Sequence, residues 1–304
     1  VNTRIGLPAE RLLLGIGLRL GAIITFSAMS ATVKLVSDRG VGPAEMLFYR
    51  NLFSLPIIAG WIIAVPGIRA VRTRRPLAHL TRGLIGMTSM LMVFQTLRML
   101  PLAEATTIGF SAPLFATILS GFWLGEHVGP HRWLAVAIGF AGVLVVLQPG
   151  GLGPHLGIAV AIVSAFLVAS VNITLRQLGA TENIAATVFW FNLTTLAVMS
   201  AIVPFFARAH NAEEWGLLVV IGITGGAAQI FNTASVRYAP LAALAPFDYL
   251  QLVGAAIFGY LLWGTSPGRA TWTGASLIVA GGLYTIYREH RLRQAIAAVE
   301  LPVS

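Results

Sequence analysis

Residues 98–147, RMLPLAEATTIGFSAPLFATILSGFWLGEHVGPHRWLAVAIGFAGVLVVL, and residues 237–286, RYAPLAALAPFDYLQLVGAAIFGYLLWGTSPGRATWTGASLIVAGGLYTI, are two copies of one pattern. A shift of 139 positions lays RMLPLA (Arg98 to Ala103) on RYAPLA (Arg237 to Ala242). Without a gap it also lays Gly125 on Gly264, Gly129 on Gly268, Trp133 on Trp272, and Ala141 and Gly142 on Ala280 and Gly281. Apolar runs resemble one another by chance, but they rarely keep register on Arg, Pro, Gly and Trp together. The chain is therefore an internal duplication. One departure is plain: Thr265 stands where the first copy has Glu126, so the Leu-Gly-Glu of the first copy has no symmetric partner.

Composition says where such a chain can live. Charged residues are 10% of the 304 and hydrophobic ones 57%, against about 25% charged in soluble domains. So few charges cannot coat a 32.3 kDa globule, whereas hydrocarbon asks for no coat, and the mean hydropathy of +0.81 suits a surface that meets acyl chains. Apolar runs between Gly, Pro and charged breaks predict spans near 18–37, 44–65, 79–99, 103–124, 132–149, 156–177, 184–207, 215–236, 241–263 and 271–288. Connections as short as Met99 to Ala103 and Tyr238 to Ala242 make consecutive helices antiparallel neighbours. An odd number of spans per copy sends the second copy into the membrane from the opposite side. The expected fold is an all-α integral membrane protein with ten transmembrane helices as two inverted five-helix repeats, 15–149 and 156–288, followed by a cytoplasmic tail at 289–304. This is the architecture of secondary transporters, with a substrate site expected near the midplane between the repeats.

The 20 Lys and Arg against 11 Asp and Glu invite a nucleic-acid reading, but the basic residues cluster in short stretches beside spans, as in IRAVRTRR (Ile68 to Arg75) and REHRLR (Arg288 to Arg293). That placement speaks for membrane topology. Setting aside Arg50, inside the second span, fourteen lie on the N-terminal side, Arg19 and Arg82 among them. Five lie on the other: Lys34, Arg39, Arg98, Arg208 and Arg269. The bias predicts an inner-membrane protein with both termini in the cytoplasm. The first apolar run lacks a clean cleavage site and reads as a span. With no Cys there is no disulfide, thiol nucleophile or thiolate site. His79, His127, His131, His155, His210 and His290 fall near loop ends without HExxH spacing, so neither metal nor cofactor is expected. The chain has no GxxxxGK[ST] motif, which argues against direct drive by ATP.

Ionisable groups at depth are costly and are candidates for function by default. Asp248 lies about 10 Å into the ninth span and two residues after Pro246, which can break a helix and expose carbonyls to a ligand. It could bind a substrate ammonium, carry a proton or pair with a neighbouring helix. Arg50 suits a carboxylate, but a structural pair, with Glu45 or with a group on another helix, is the alternative that weighs more. Among neutral groups, Gln229 and Asn232 are spaced i, i+3 and share a helix face, and Gln95 joins them as a candidate. Phe94, Phe110, Phe166, Trp190 and Tyr249 could supply an apolar cage for the side chain of an amino acid.

The block from Pro101 to Leu147, with PLA, a mid-span Pro, LGE and a Gly-rich last span, resembles the EamA repeat of the drug/metabolite transporter superfamily, and the resemblance covers residues 15–288. Within it the chain looks most like bacterial amino-acid exporters of the YddG type. The chain is expected as a monomer in the lipid bilayer. The resemblance implies a secondary transporter, not an enzyme, that exports small metabolites, above all apolar or aromatic amino acids, by alternating access. Alternatives are an importer or exchanger of another metabolite, such as an adenosyl compound or nucleotide sugar, or a passive metabolite channel.

Overall fold

The computed structural model describes residues 9–123, 129–147, 155–179, 181–239 and 241–299; Leu124, Gly125, Glu126, His127 and Pro240 lie outside the described residues. The helices are α1 (Ala9–Asp38), α2 (Pro43–Ala64), α3 (Pro76–Met99), α4 (Leu102–Gly109), α5 (Ala112–Trp123), α6 (Pro130–Leu147), α7 (His155–Gly179), α8 (Ile184–Ile202), α9 (Ala212–Tyr238), α10 (Leu241–Asp248), α11 (Leu250–Trp263) and α12 (Arg269–Val299). No strand occurs among the described residues. Seven helical segments are long and apolar enough to cross a membrane, and Trp133–Val146 in α6 is a shorter apolar one. The interrupted pass α10–α11 and α12, which turns charged from Arg288, bring the passes among the described residues to ten.

Two passes are broken, and at matching places. The shift of 139 that aligns the sequences carries α4 onto α10 residue for residue, and it carries Phe110, at the first break, onto Tyr249, at the second. Pro113 sits in the first turn of α5, where its missing N–H costs nothing. Pro246 lies inside α10, where it removes the backbone N–H that would otherwise reach the carbonyl of residue 242.

The first and last helices are longer than the sequence suggests. Because α1 begins at Ala9, not near residue 18, Arg19 lies about 15 Å along it. It is not a loop charge. Arg82 is likewise buried in α3, its guanidinium 4.5 Å from the centre of the Phe191 ring. Removing both from the charge count leaves twelve against five, the same sign. At the other end α12 runs on through 289 to Val299.

Helices pack in exchanged pairs: α1 on α9 and α7 on α3, α2 on α9 and α8 on α3, α1 on α11 and α7 on α5. Replacing each helix by its repeat mate turns the first member of each pair into the second, as a pseudo-two-fold axis in the membrane plane requires. One end of that axis lies between α6 and α12. There a methyl on Gly142 would come within 2.7 Å of the Gly274 carbonyl, and one on Gly281 within 2.8 Å of the Ala135 carbonyl. Gly142 with Gly281, and Ala135 with Gly274, are repeat mates, so one close contact is made twice. Toward the other end α2 meets α8, where the Ser54 hydroxyl donates to Asn192 Oδ1 at 3.1 Å.

The packed bodies are therefore not the sequence halves: α1 and α2 stand with α9, and α7 and α8 with α3. A polar cluster fastens each body at one end. In the first, Arg39 pairs with Glu213 and Arg208 with Glu214, both at 2.6 Å, and His210 lies 3.2 Å from Glu45 and 3.4 Å from Glu214. In the second, His79 lies 3.3 Å from Glu182 and Arg75 donates to the Thr181 hydroxyl at 3.2 Å. Glu45 also accepts from the Arg208 backbone N–H, so the expected Glu45–Arg50 pair does not form. Arg50 is buried against Gly225, and its Nε and Nη1 have no hydrogen-bond partner.

Candidate functional site

A cavity of about 420 Å³ lies between the two bodies, with walls from α1, α3, α4, α5, α7, α9, α10 and α11. Its polar centre is a long-range ion pair. Arg19 Nε donates to Asp248 Oδ1 at 2.6 Å and Nη2 to Oδ2 at 2.5 Å, and Nη1 donates to Asn232 Oδ1. The side chains are 11% and 27% exposed, which leaves part of each facing the cavity. Two parallel bonds between a planar guanidinium and a carboxylate fix both groups in orientation as well as in charge. In a low-dielectric interior neither would stand alone, because an unpaired buried charge costs several kcal/mol or more.

The local causes are clear. The break after Asp248 ends α10 and leaves its last side chain at a helix end instead of in a continuous apolar wall. Asn232 is on α9, the helix against which α1 packs, so α1 carries Arg19 to both partners at once. Gln251, one turn beyond the break, and Asn172 of α7 add further polar groups to the lining.

Repeat mates meet in the same cavity with opposite chemistry. Val93 and Asn232, Gly109 and Asp248, Ala112 and Gln251 are pairs at the 139 shift, and all six line it. The first repeat supplies the apolar member each time and the second repeat the polar one. An amphipathic ligand is matched by such a space, its charged head between Arg19 of α1 and the second repeat's polar groups and its apolar body against Val93, Gly109 and Ala112.

Of the residues singled out from sequence, Asp248, Asn232 and Phe110 line the cavity. Tyr249 stands behind it, its ring 5.2 Å from that of Phe110. Six others lie elsewhere. Phe94 is wholly buried in the core, and Phe166 is 41% exposed, with its ring edge-on to Phe115. Trp190 donates its indole N–H to the Val71 carbonyl at 3.0 Å. Gln229 holds a buried, unpartnered Oε1 away from the lining, and neither Gln95 nor Arg50 is part of it. Arg19 and Gln251 belong to the site without having stood out in the sequence. Among the described residues no group of three His, Asp or Glu is placed to hold a metal.

Two inverted repeats around a cavity with a polar centre define a membrane carrier of small molecules. The EamA-like transporter family model matches residues 13–148 and 155–287, and the chain belongs to that family, part of the drug/metabolite transporter superfamily. It is 28% identical over 279 residues to an S-adenosylmethionine uptake transporter of Rickettsia felis, covering 92% of this chain and 94% of the relative. It is 28% identical to a riboflavin transporter of Rhizobium johnstonii, with 95% and 96% covered. A pseudopaline exporter of Pseudomonas aeruginosa matches at 28%, with 87% and 93% covered. A protein crystal structure at 21% identity superposes with a TM-score of 0.65 over 91% of this chain and 98% of its own, which shows the fold. The chain is thus a multi-pass membrane transporter, not an enzyme.

Proposed function

We propose that this transporter carries amino acids, above all those with apolar or aromatic side chains, by alternating access, and that it works as an exporter in an inner membrane with both termini in the cytoplasm. The bidentate Arg19–Asp248 pair in the cavity carries this reading. An α-carboxylate competes for Arg19 and an α-ammonium for Asp248, so a zwitterion exchanges one internal ion pair for two new ones without leaving a bare charge. Asn232 holds the guanidinium in place during the exchange. Val93, Gly109, Ala112 and Phe110 then receive the side chain. The positive-inside bias supports the orientation.

The Rickettsia relatives favour a second reading, an adenosyl compound bearing the same head. S-adenosylmethionine presents a carboxylate and an ammonium to the same wall and an adenosyl group to the other. Counterflow in proteoliposomes loaded with unlabelled phenylalanine, leucine or S-adenosylmethionine tests both. Accumulation of labelled phenylalanine, lost when its ammonium or its carboxylate is absent, supports the amino-acid reading. Flux that is indifferent to both groups, or that shows no trans-stimulation, removes it.

A further inference from the structure

Phe110 and Tyr249 break the symmetry that the rest of the cavity keeps. They are repeat mates, each stands at the break of its pass, and their rings touch at 5.2 Å and 33° near the pseudo-two-fold axis. In each of the three wall pairs both mates line the cavity, but here only Phe110 does. Tyr249 is turned aside, its hydroxyl lodged at Gly282 of α12, where even a methyl group would overlap it. The repeat mate of Gly282 is Val143 on α6, a side chain 2% exposed. The seat that accepts Tyr249 is open, and the corresponding seat for Phe110 is filled by two methyl groups.

In an inverted-repeat carrier the state open to the opposite side is reached when the repeats exchange conformations. We propose that Phe110 and Tyr249 form an exchanging gate: in this state Phe110 faces the substrate while Tyr249 is seated at Gly282, and in the opposite state Tyr249 swings into the cavity while Phe110 withdraws toward Val143. The inference rests on the alternating-access reading above. It gives the substrate a phenyl face on one side of the membrane and a phenol beside Asp248 on the other. It also makes the two states unequal, because one seat is a glycine notch and the other is not. The state with Tyr249 seated is the favoured one.

The chain has no Cys, so single cysteines report without background. Val93→Cys, Phe110→Cys and Tyr249→Cys are to be labelled in uniformly oriented proteoliposomes with a membrane-impermeant maleimide from either side. Val93 and its mate Asn232 both line this state and so line the exchanged one; Val93→Cys is expected to label from both sides in turn, with substrate altering the ratio. Phe110→Cys should label several-fold faster from one side and Tyr249→Cys several-fold faster from the other. If Val93→Cys alternates while positions 110 and 249 share one side preference, the gate is wrong and alternating access stands. If all three label equally from both sides and substrate changes nothing, alternating access itself fails. Should a cysteine at 110 or 249 prevent assembly, Gly282→Ala in the Val93→Cys background evicts Tyr249 and should raise labelling from the disfavoured side several-fold, with Tyr249→Phe reversing the change. An unaltered ratio in Gly282→Ala overturns the gate.

Discussion

Val93, Gly109 and Ala112 hold in the first repeat the places that Asn232, Asp248 and Gln251 hold in the second, and all six face the cavity. The backbone is the same on both walls, and the chemistry is opposite. Duplication supplies the shape twice, but a dipolar ligand needs its charged partners only once. A second carboxylate at position 109 would be a buried charge without a guanidinium, at a cost of several kcal/mol. Divergence of the two walls therefore gives a symmetric hole a polar side, completed by Arg19 from α1, and an apolar side.

The strongest test of the contrast removes the charge that completes the polar side. In Arg19→Gln the Asp248 carboxylate is left unpaired, and breaking a buried pair costs about 3–5 kcal/mol, which would be roughly two to nearly four orders of magnitude if carried in full by affinity. Counterflow of zwitterions should be all but lost, and wild-type flux would show that the pair is structural only. A gentler change copies one wall onto the other. Asn232→Val deletes one hydrogen bond to a charged group, about 1.5–3 kcal/mol, so the half-saturating substrate concentration should rise roughly tenfold or more by competition assay. The reciprocal Val93→Asn should do far less; equal effects would mean that the walls are not specialised.

On the apolar side, Phe110→Ala enlarges the space. A methylene or two of fit is worth about 1–3 kcal/mol. The ratio of flux for a bulky side chain over a small one should therefore move by roughly tenfold while transport persists. An unchanged ratio would place the substrate side chain elsewhere.

The smallest effect lies outside the cavity. Burial pushes the Glu182 carboxyl up, but hydrogen bonds from the Thr73 hydroxyl, His79 and the Arg74 N–H, with the charge of His79, outweigh it and hold the group below the usual glutamate range. A depressed carboxylate contributes stability above its unfolded value and loses it as pH falls through the folded one. The melting temperature of the detergent-solubilised protein should therefore slip as pH drops below the ordinary glutamate range, and Glu182→Gln should flatten that part of the profile. The cluster at the other end of the molecule, around Glu213 and Glu214, serves as the untouched comparison.

The fold is legible in the sequence because its evidence is a register, carried by Arg98 with Arg237 and Trp133 with Trp272. The site is less so. Arg19 looks like an interfacial charge as long as α1 is taken to start near residue 18; hydropathy marks the apolar stretch, not the end of the helix, which runs back to Ala9. Glu45 and Arg50 are five residues apart on one helix, a spacing that turns them away from each other, since only i, i+3 and i, i+4 pairs meet. Trp190 and Phe166 lie on helices apolar nearly all round, where composition gives no azimuth and cannot tell cavity from lipid or core. The register that joins the two Arg residues also joins Phe110 to Tyr249, but which of them faces the cavity is decided by Gly282 and Val143 on other helices.

Because α1 and α2 pack against α9, this protein is finished in an order different from that in which it is made. Arg19 precedes Asp248 by 229 positions. At about 5–20 residues per second of synthesis, its carboxylate arrives roughly 10–45 s after it. During that interval the first helix is held in or beside the bilayer with an unpaired guanidinium, which reaches for headgroups or water as long side chains do. Once α10 enters, Arg19 is drawn off the interface and into the interior. The ion pair at the cavity of the mature carrier is thus also a contact that the first helix can make only once the second half has come.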